Sequence, residues 1–319
     1  MEFMPNVQSL LREHGTTFPN FFVNVSVCCP SRATILRGQY AHNTGIRTNA
    51  PPTGGFGLFH LAGLEDSTVA TWLQAAGFRT GFFGKYLNGY PPALPPEEGP
   101  AFVPPGWSEW FAPFGLRVYG QFDYRANDNG EVVSYGNDPD DYAGDTIART
   151  ANDFVRRAAE EGTPFFAFIA PYSPHPPAAS APRHDGLYAF ARAPRASSFD
   201  EADVSDKPQY VRNRQAFTTE QERMIDATYR QRLRSLRSVD DMVGAIVRTL
   251  EGTGQLDNTY IFFTSDNGYM QGEHRLPGGK DVPYEESIRV SLIVRGPGVP
   301  AGRTIDQLTG QHGPRPDLR

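Results

Sequence analysis

Lysine is scarce in this sequence. The chain has 319 residues and 30 basic residues, yet only three of these are lysines, Lys85, Lys207 and Lys280. Arginine supplies the rest of the positive charge. Two of the three lysines, Lys85 and Lys280, fall inside the motifs described below.

Cysteine is also scarce. Cys28 and Cys29 are the only two, and they are adjacent. Neighbouring cysteines close a disulfide with each other poorly, and the other half of a Cys/His metal-ligand set is missing. A pair of small buried hydrophobic residues is the default interpretation. The pair says little about redox compartment.

The sequence lacks a long apolar run and an excess of positive charge. No run approaches the roughly 20 residues of a membrane span, so we expect no membrane partner. The formal net charge of −6 argues against a nucleic-acid partner. No signal-peptide pattern precedes residue 20, and the compartment is left unknown. With 39% apolar and 21% charged residues, the composition is that of an ordinary globular protein.

Residues 26–38 combine the features of a chemical site. They hold both cysteines, an arginine, and a proline placed where a helix could begin. Pro30 suits the first turn of a helix because its φ is fixed near the helical value. Cys28 would then lie at the N-terminal end of that helix, where unpaired N–H groups and Arg32 favour an anion or an anionic nucleophile.

The same stretch resembles the signature of the formylglycine-dependent sulfatases, which reads Cys-x-Pro-Ser-Arg, three residues, Leu, and a Gly shortly after. The matching positions here are Cys28, Pro30, Ser31, Arg32, Leu36 and Gly38. The Cys-Cys form is most similar to the N-acetylglucosamine-6-sulfatase type. The resemblance implies that a formylglycine-generating enzyme oxidises Cys28 to an aldehyde, which hydrates to a geminal diol, and that Cys29 is a bystander.

The resemblance also implies a reaction. One diol oxygen attacks sulfur and expels the alcohol, which leaves a sulfate ester on the protein. Deprotonation of the other hydroxyl then expels sulfate and restores the aldehyde. This covalent catalysis divides one difficult step into two easier ones.

Two further segments resemble family motifs. Residues 79–83 predict a strand, and residues 77–87 are similar to the second sulfatase signature, which implies that Lys85 points at the sulfate oxygens. Many relatives have a histidine two residues after this lysine, where this chain has Leu87. The apolar strand predicted at residues 165–170 is followed by His175 among prolines, at the strand end where open α/β sheets place ligand-binding groups. The resemblance implies that His175 binds sulfate or protonates the departing alcohol.

A third block follows a strand predicted to be buried, residues 260–264. Asp266, Asn267 and the next glycine are typical of a turn, but the resemblance implies that Asp266 and Asn267, with the modified Cys28, hold a divalent cation of the calcium type. The cation would lower the pKa of a diol oxygen and polarise the sulfate. Lys280 falls where the family has a second active-site lysine, and His274 is a candidate substrate-binding residue. Lys85, Lys280 and Arg32 would stabilise negative charge on the sulfate and the departing oxygen.

Periodicity predicts a short N-terminal helix from Met4 with its C-cap at Gly15, and further helices at residues 66–76 (capped by Ser67), 142–161 and 219–249. Asp240 and Asp241 on the last helix are expected to form a solvated face. Residues 90–140 are expected to be an insertion that covers the pocket. The resemblance implies an alkaline-phosphatase-like α/β sandwich with a mixed central sheet between helices.

The ends of the chain differ from the family pattern. The family has a strand with two metal-binding aspartates upstream of residue 4, and we expect this chain to lack that strand and the C-terminal subdomain. Residues 1–310 are predicted to form the catalytic domain, incomplete at its N-terminus. Residues 311–319 are predicted to be an aberrant tail. We expect it to result from a frameshift, because one choice of codons for these residues encodes the family sequence when it is read one base later.

Hydrolysis of sulfate monoesters, of a sulfated sugar or an aryl alcohol, is the function that these motifs predict. The alternatives are a formylglycine phosphonate monoester hydrolase or phosphodiesterase, and a truncated, non-catalytic remnant. The sequence does not name the natural substrate.

Overall fold

The computed structural model describes residues 2–91 and 99–311. The tail from residue 312 to residue 319 lies outside the described residues. Within them, no helix combines the length and the apolarity needed to cross a membrane.

The described chain contains ten strands and eight α-helices. The strands are β1 (Thr16–Phe22), β2 (Arg79–Gly84), β3 (Glu109–Phe114), β4 (Arg125–Asp128), β5 (Glu131–Ser134), β6 (Phe165–Ala170), β7 (Ile261–Phe263), β8 (Arg289–Arg295), β9 (Arg303–Thr304) and β10 (Thr309–Gly310). The helices are α1 (Cys28–Arg37), α2 (Ala41–Thr44), α3 (Gly55–Leu61), α4 (Val69–Ala75), α5 (Ala143–Glu160), α6 (Gln209–Arg212), α7 (Thr219–Gly252) and α8 (Glu285–Ile288).

One sheet has the order β5-β4-β3-β2-β6 and is covered by helices on both faces. Alternation along β2 sends Phe82 to one face and Phe83 to the other. Phe82 packs in a core with residues of α1, α3 and α4, whereas Phe83 packs with residues of α5 and α7. The strand β2 runs parallel to both β3 and β6, and β4 and β5 extend the sheet antiparallel. The sheet is therefore mixed, as predicted.

The second sheet has the order β10-β1-β8-β7, with β9 also paired to β1. The predicted mixed sheet is thus present as two five-stranded sheets, with β6 and β7 as edge strands in the described part of the chain. The prediction that residues 260–264 form a buried strand is wrong, because within the described residues β7 pairs only with β8, and Phe262 is 67% exposed. An apolar run alone does not tell a central strand from an edge strand.

The N-terminal segment departs from the prediction in part. A helical segment with π-type hydrogen bonding, Val7–Arg12, is present, but β1 follows it directly and was not predicted. The expectation of a solvated Asp240 is wrong, because this residue is fully buried. Its carboxylate accepts the N–H groups of Asn6 and Val7 at 3.1 and 2.9 Å and so fixes the N-terminal segment to α7.

The predicted helices at residues 66–76, 142–161 and 219–249 correspond to α4, α5 and α7. The cap of α4 is Thr68 rather than Ser67, since Thr68 and Thr71 form a reciprocal capping box. The strands predicted at residues 79–83 and 165–170 correspond to β2 and β6. The candidate site described next lies at the C-terminal ends of β2 and β6.

Candidate active site

Helix α1 places Cys28 as the sequence predicts. Val27 is extended and precedes the helix, Pro30 lies in its first turn, and Gly38 ends it in the left-handed region with its N–H donated to Thr34. Cys28 is therefore the first residue of the helix, where the unpaired N–H groups carry partial positive charge.

Two lysines converge on the thiol of Cys28. Nζ of Lys85 lies 3.1 Å from Sγ, and Nζ of Lys280 lies 2.8 Å from it. Burial raises the pKa of Cys28, and Asp266 raises it too, but Lys85, Lys280 and Arg32 together lower the pKa below its ordinary value. The position is built to hold negative charge.

Cys29 differs from its neighbour. It is fully buried in the apolar core beneath α1, and its N–H is donated to the side chain of Asn49 at 2.8 Å. Burial raises the pKa of Cys29 to about 11. Two adjacent cysteines thus have opposite environments, and only Cys28 faces the charged groups.

Arg32 connects the helix to the strand end after β7. Its Nε donates to Oδ2 of Asp266 at 2.8 Å, and its Nη1 donates to the carbonyl of Lys85. Burial raises the pKa of Asp266, but the positive charges of Arg32, Lys85 and Lys280 outweigh it and hold the pKa below the ordinary value. Asp266 is therefore a carboxylate at neutral pH.

Gly84 positions Lys85. Its φ is +123°, which disfavours L side chains, and a Cβ atom there would collide with the carbonyl of Ala170 at the end of β6. The close approach lets the N–H of Lys85 donate to that carbonyl at 2.8 Å. Lys85 itself is only 4% exposed. The ends of β2 and β6 thus fix the lysine backbone.

The loop after β7 is tied to both α8 and α1. Gly268 and Tyr269 donate their N–H groups to the carbonyls of Ser287 and Glu286, each at 2.8 Å. Nζ of Lys280 also lies 3.1 Å from Oδ1 of Asn267, and this contact joins the lysine to the predicted metal-binding pair. Cys28, Arg32, Lys85, Asp266, Asn267 and Lys280 therefore form one connected network.

His175 joins this network through a residue that the sequence analysis missed. Its ring centroid lies 4.6 Å from that of Tyr119, and Nζ of Lys85 lies 5.4 Å from the centre of the same tyrosine ring. Nδ1 of His175 donates to the carbonyl of Pro176 at 2.7 Å, so Nε2 of the neutral ring is an acceptor. Burial lowers the pKa of His175 to about 4, and Lys85 and Lys280 contribute to the lowering.

His274 lies in a different cluster. Its Nδ1 is 2.7 Å from Oε2 of Glu201, and its ring stacks on Tyr284 with centroids 4.2 Å apart. Among the described residues it has no hydrogen bond to the network around Cys28. Its role in substrate binding stays a prediction.

The side-chain oxygens of Asp266 and Asn267 are of a type that binds divalent cations. Asp266 offers a carboxylate and Asn267 a carboxamide oxygen, which are hard ligands suited to calcium. In the described part of the chain, no group of three or more His, Cys, Asp or Glu residues could hold a metal ion by itself. A cation here would need further oxygen ligands from a hydrated aldehyde at position 28, from substrate or from water.

Comparison with known proteins decides the family. The model of the sulfatase family matches residues 1–312 of the chain. The chain belongs to the sulfatase family. Members of this family in general use a formylglycine and a divalent cation.

This sulfatase-family chain is 36% identical to human N-acetylglucosamine-6-sulfatase over 307 residues, which are 96% of the chain and 55% of that protein. It is 35% identical to an arylsulfatase of Volvox carteri over 327 residues, or 95% of the chain and 49% of the relative. The chain thus spans about half the length of these curated relatives.

Solved structures support the fold. One protein, solved in complex with its substrate D-glucosamine-2-N,6-O-disulfate, superposes with a TM-score of 0.73 at 23% identity and covers 97% of this chain and 69% of its own. A phosphonate monoester hydrolase of Silicibacter pomeroyi superposes with a TM-score of 0.68 at 21% identity over 97% and 66% of the two chains. The alkaline-phosphatase-like fold predicted from the motifs is confirmed.

Proposed function

We propose that this protein hydrolyses sulfate monoesters of sugars or aryl alcohols. The reaction would use a bound calcium ion and a formylglycine that is made from Cys28. The observation that carries the proposal is the contact of Cys28 with Lys85 and Lys280 at 3.1 and 2.8 Å at a helix N-terminus. A single sulfate group carries the charge and the size that such an arrangement suits.

The roles of the side chains follow from where charge lies in the reaction. Lys85, Lys280 and Arg32 would bind the sulfate oxygens and stabilise the negative charge that builds up as the sulfur–oxygen bond breaks. Because these groups are buried, their electrostatic interactions with the sulfate are stronger than they would be in water. A donor of this kind contributes about 10²–10³-fold in rate.

Asp266 and Asn267 would hold the calcium ion, which supplies Lewis-acid polarisation of oxygen when bound. The hydrated aldehyde at position 28 supplies a nucleophile that can release sulfate without a second attack on sulfur. Arg32 keeps the Asp266 carboxylate ionised and oriented for this task. Sulfated sugars are the substrates we favour, because the curated relatives include an N-acetylglucosamine-6-sulfatase.

The test combines modification with turnover. The chain is expressed with a formylglycine-generating enzyme, and the peptide containing Cys28 is examined by mass spectrometry for conversion of the thiol to an aldehyde. Turnover of 4-nitrophenyl sulfate is then compared with that of a phenyl phosphonate monoester. We expect the aldehyde and a preference for the sulfate.

Cys29→Ala is the matched control for Cys28→Ala. We expect Cys28→Ala to abolish turnover and Cys29→Ala to retain it. Full turnover by Cys28→Ala, or an unaltered thiol in an active preparation, contradicts the proposal. A preference for the phosphonate would favour the phosphonate monoester hydrolase instead.

A further inference from the structure

Tyr119 occupies a rigid turn over the site. The turn, Arg117–Gly120, follows β3, and its Val118 side chain is fully buried. The next residue, Gln121, accepts the N–H groups of Ala143 and Gly144 at 2.9 and 3.1 Å and so fixes the turn to the start of α5. The position of Tyr119 is therefore determined by the fold rather than by a free loop.

The ring of Tyr119 lies close to two residues of the site. Its centroid is 4.6 Å from that of the His175 ring and 5.4 Å from Nζ of Lys85. The ring of Tyr172 packs edge-on against it at 5.1 Å, and the hydroxyl of Tyr172 is anchored to the carbonyl of Pro113. Packing against Tyr172 thus helps to hold the ring of Tyr119 in place.

The hydroxyl of Tyr119 has no hydrogen-bond partner among the described residues, although the side chain is half-buried. Burial raises the pKa of Tyr119; the charges of Cys28 and Asp266 raise it further, and those of Arg32 and Lys280 lower it. The phenol oxygen is therefore within electrostatic range of the network around Cys28 and keeps its proton at neutral pH. The hydroxyl is therefore free to donate to a bound ligand, and the centre of its ring lies 5.4 Å from Nζ of Lys85.

A neutral donor on the alcohol side would complement the cations around Cys28. Lys85 and Lys280 both point at Sγ of Cys28, and Nε2 of neutral His175 is an acceptor. Leu87 is buried in the apolar core and offers no polar atom. A hydrogen bond from Tyr119 to the oxygen between sulfur and the alcohol would add to the stabilisation that Lys85, Lys280 and Arg32 provide.

We propose that Tyr119 contacts the alcohol side of a bound sulfate monoester and that its hydroxyl donates a hydrogen bond to the oxygen that joins sulfur to the alcohol. This inference rests on the proposed sulfatase function. As the sulfur–oxygen bond breaks, its electron pair stays on the departing oxygen, and the hydrogen bond stabilises that charge. The proton of Tyr119 remains on the phenol, and the departing oxygen takes its proton from water.

Leaving-group dependence tests this role. Phenyl sulfate has a more basic leaving oxygen than 4-nitrophenyl sulfate and depends more on a donor there. We expect Tyr119→Phe to lower kcat/KM about tenfold for phenyl sulfate, the size of one lost hydrogen bond, and clearly less for 4-nitrophenyl sulfate. Equal losses with both esters, or no loss with either, would overturn the assignment.

Tyr135→Phe is the matched control. Tyr135 is a half-buried tyrosine that stacks on Tyr124 with centroids 4.9 Å apart, away from the network around Cys28. We expect this variant to retain both kcat/KM values. Thermal unfolding of each variant shows whether a loss reflects misfolding instead.

Binding to the unmodified protein provides a measurement without turnover. Calorimetry with phenyl sulfate and inorganic sulfate compares the wild type with Tyr119→Ala. We expect the variant to bind phenyl sulfate several-fold more weakly and inorganic sulfate equally well. If Tyr119→Ala binds the ester as tightly as the wild type, the role of Tyr119 is contradicted and the proposed sulfatase function is not. Ester binding without turnover by the modified wild type contradicts only the proposed function, and absence of ester binding contradicts both.

Discussion

Arg32 of α1 donates through Nε to Oδ2 of Asp266 across 2.8 Å, and this contact joins the helix that begins at Cys28 to the residues after β7. The two side chains are 11% and 19% exposed, so each charge depends on the other. The contact brings together two segments that are 234 residues apart in sequence.

Removal of one member of this pair should leave an uncompensated buried charge. We expect Arg32→Leu and Asp266→Asn each to lower the free energy of unfolding by about 3 kcal/mol, because each variant leaves the charge of the other residue buried and unpaired. The double variant should recover roughly 1–2 kcal/mol relative to the sum of the single losses. Denaturant titration of the four proteins measures the coupling, and strictly additive losses would show that the pair is not coupled.

The lysines should separate into two classes. Lys85→Ala and Lys280→Ala each remove a cation beside Cys28, and we expect turnover of an aryl sulfate to fall by at least about 10²-fold. Lys207, the third lysine, contacts Asp206 at 2.8 Å and lies outside the network. Lys207→Ala should retain nearly full turnover. A comparable loss in all three variants would mean that general charge, not position, is responsible.

Gly84 should tolerate no side chain. Gly84→Ala places a Cβ against the carbonyl of Ala170 at a φ of +123°, and we expect a loss of about 3 kcal/mol in the free energy of unfolding. Gly57 lies within α3 and has open space where a methyl group would stand. Gly57→Ala should be neutral or stabilising by up to about 1 kcal/mol. Thermal unfolding compares the two, and equal effects would contradict the close approach at β6.

Stability should fall in mild acid because of His175. Its pKa is about 4 in the folded chain and 6.5 in the reference state, so between these pH values the unfolded chain binds more protons. The contribution is fully present above pH 6.5 and is lost as the pH falls towards 4. His175→Gln cannot bind the proton and should show a smaller decrease in Tm over this range. His14→Gln, at an exposed position, is the control, and parallel pH profiles for wild type and His175→Gln would contradict the assignment.

Calcium should stabilise the folded chain if Asp266 and Asn267 bind it. Binding to the native state alone adds about 2.7 kcal/mol when the free ion is at about 100 times its Kd. We expect Ca²⁺ to raise Tm in the wild type but not in Asn267→Ala. Asn137, which is exposed and contacts Asp123 at 2.9 Å, provides the control variant Asn137→Ala. An equal Tm shift in both variants would place the ion elsewhere.

Local patterns were sufficient for several elements. Pro30 predicts the start of α1, and the apolar run at residues 165–170 predicts β6. Period and caps predict α5 and α7 to within a few residues. They did not separate a buried Asp240 from a solvated one, since its partners Asn6 and Val7 lie 234 and 233 residues away.

Tyr119 shows the same limit at the site. It lies in a turn-rich segment without a motif, and no local signal distinguishes it from the other tyrosines nearby. Its contact with His175 depends on where β3 and β6 end in the same sheet, which only the folded chain defines.

The order of residues along the chain determined which groups are available here: one cysteine at a helix start, two lysines in segments that resemble family motifs, and an Asp-Asn pair after a strand. Their meeting within hydrogen-bond distance was decided by the tertiary structure, because the ends of β2, β6 and β7 and the N-terminus of α1 converge only when the sheets pack against the helices. The environments of Cys28 and Cys29, adjacent in sequence and opposite in pKa shift, were set in the same way by what surrounds each thiol.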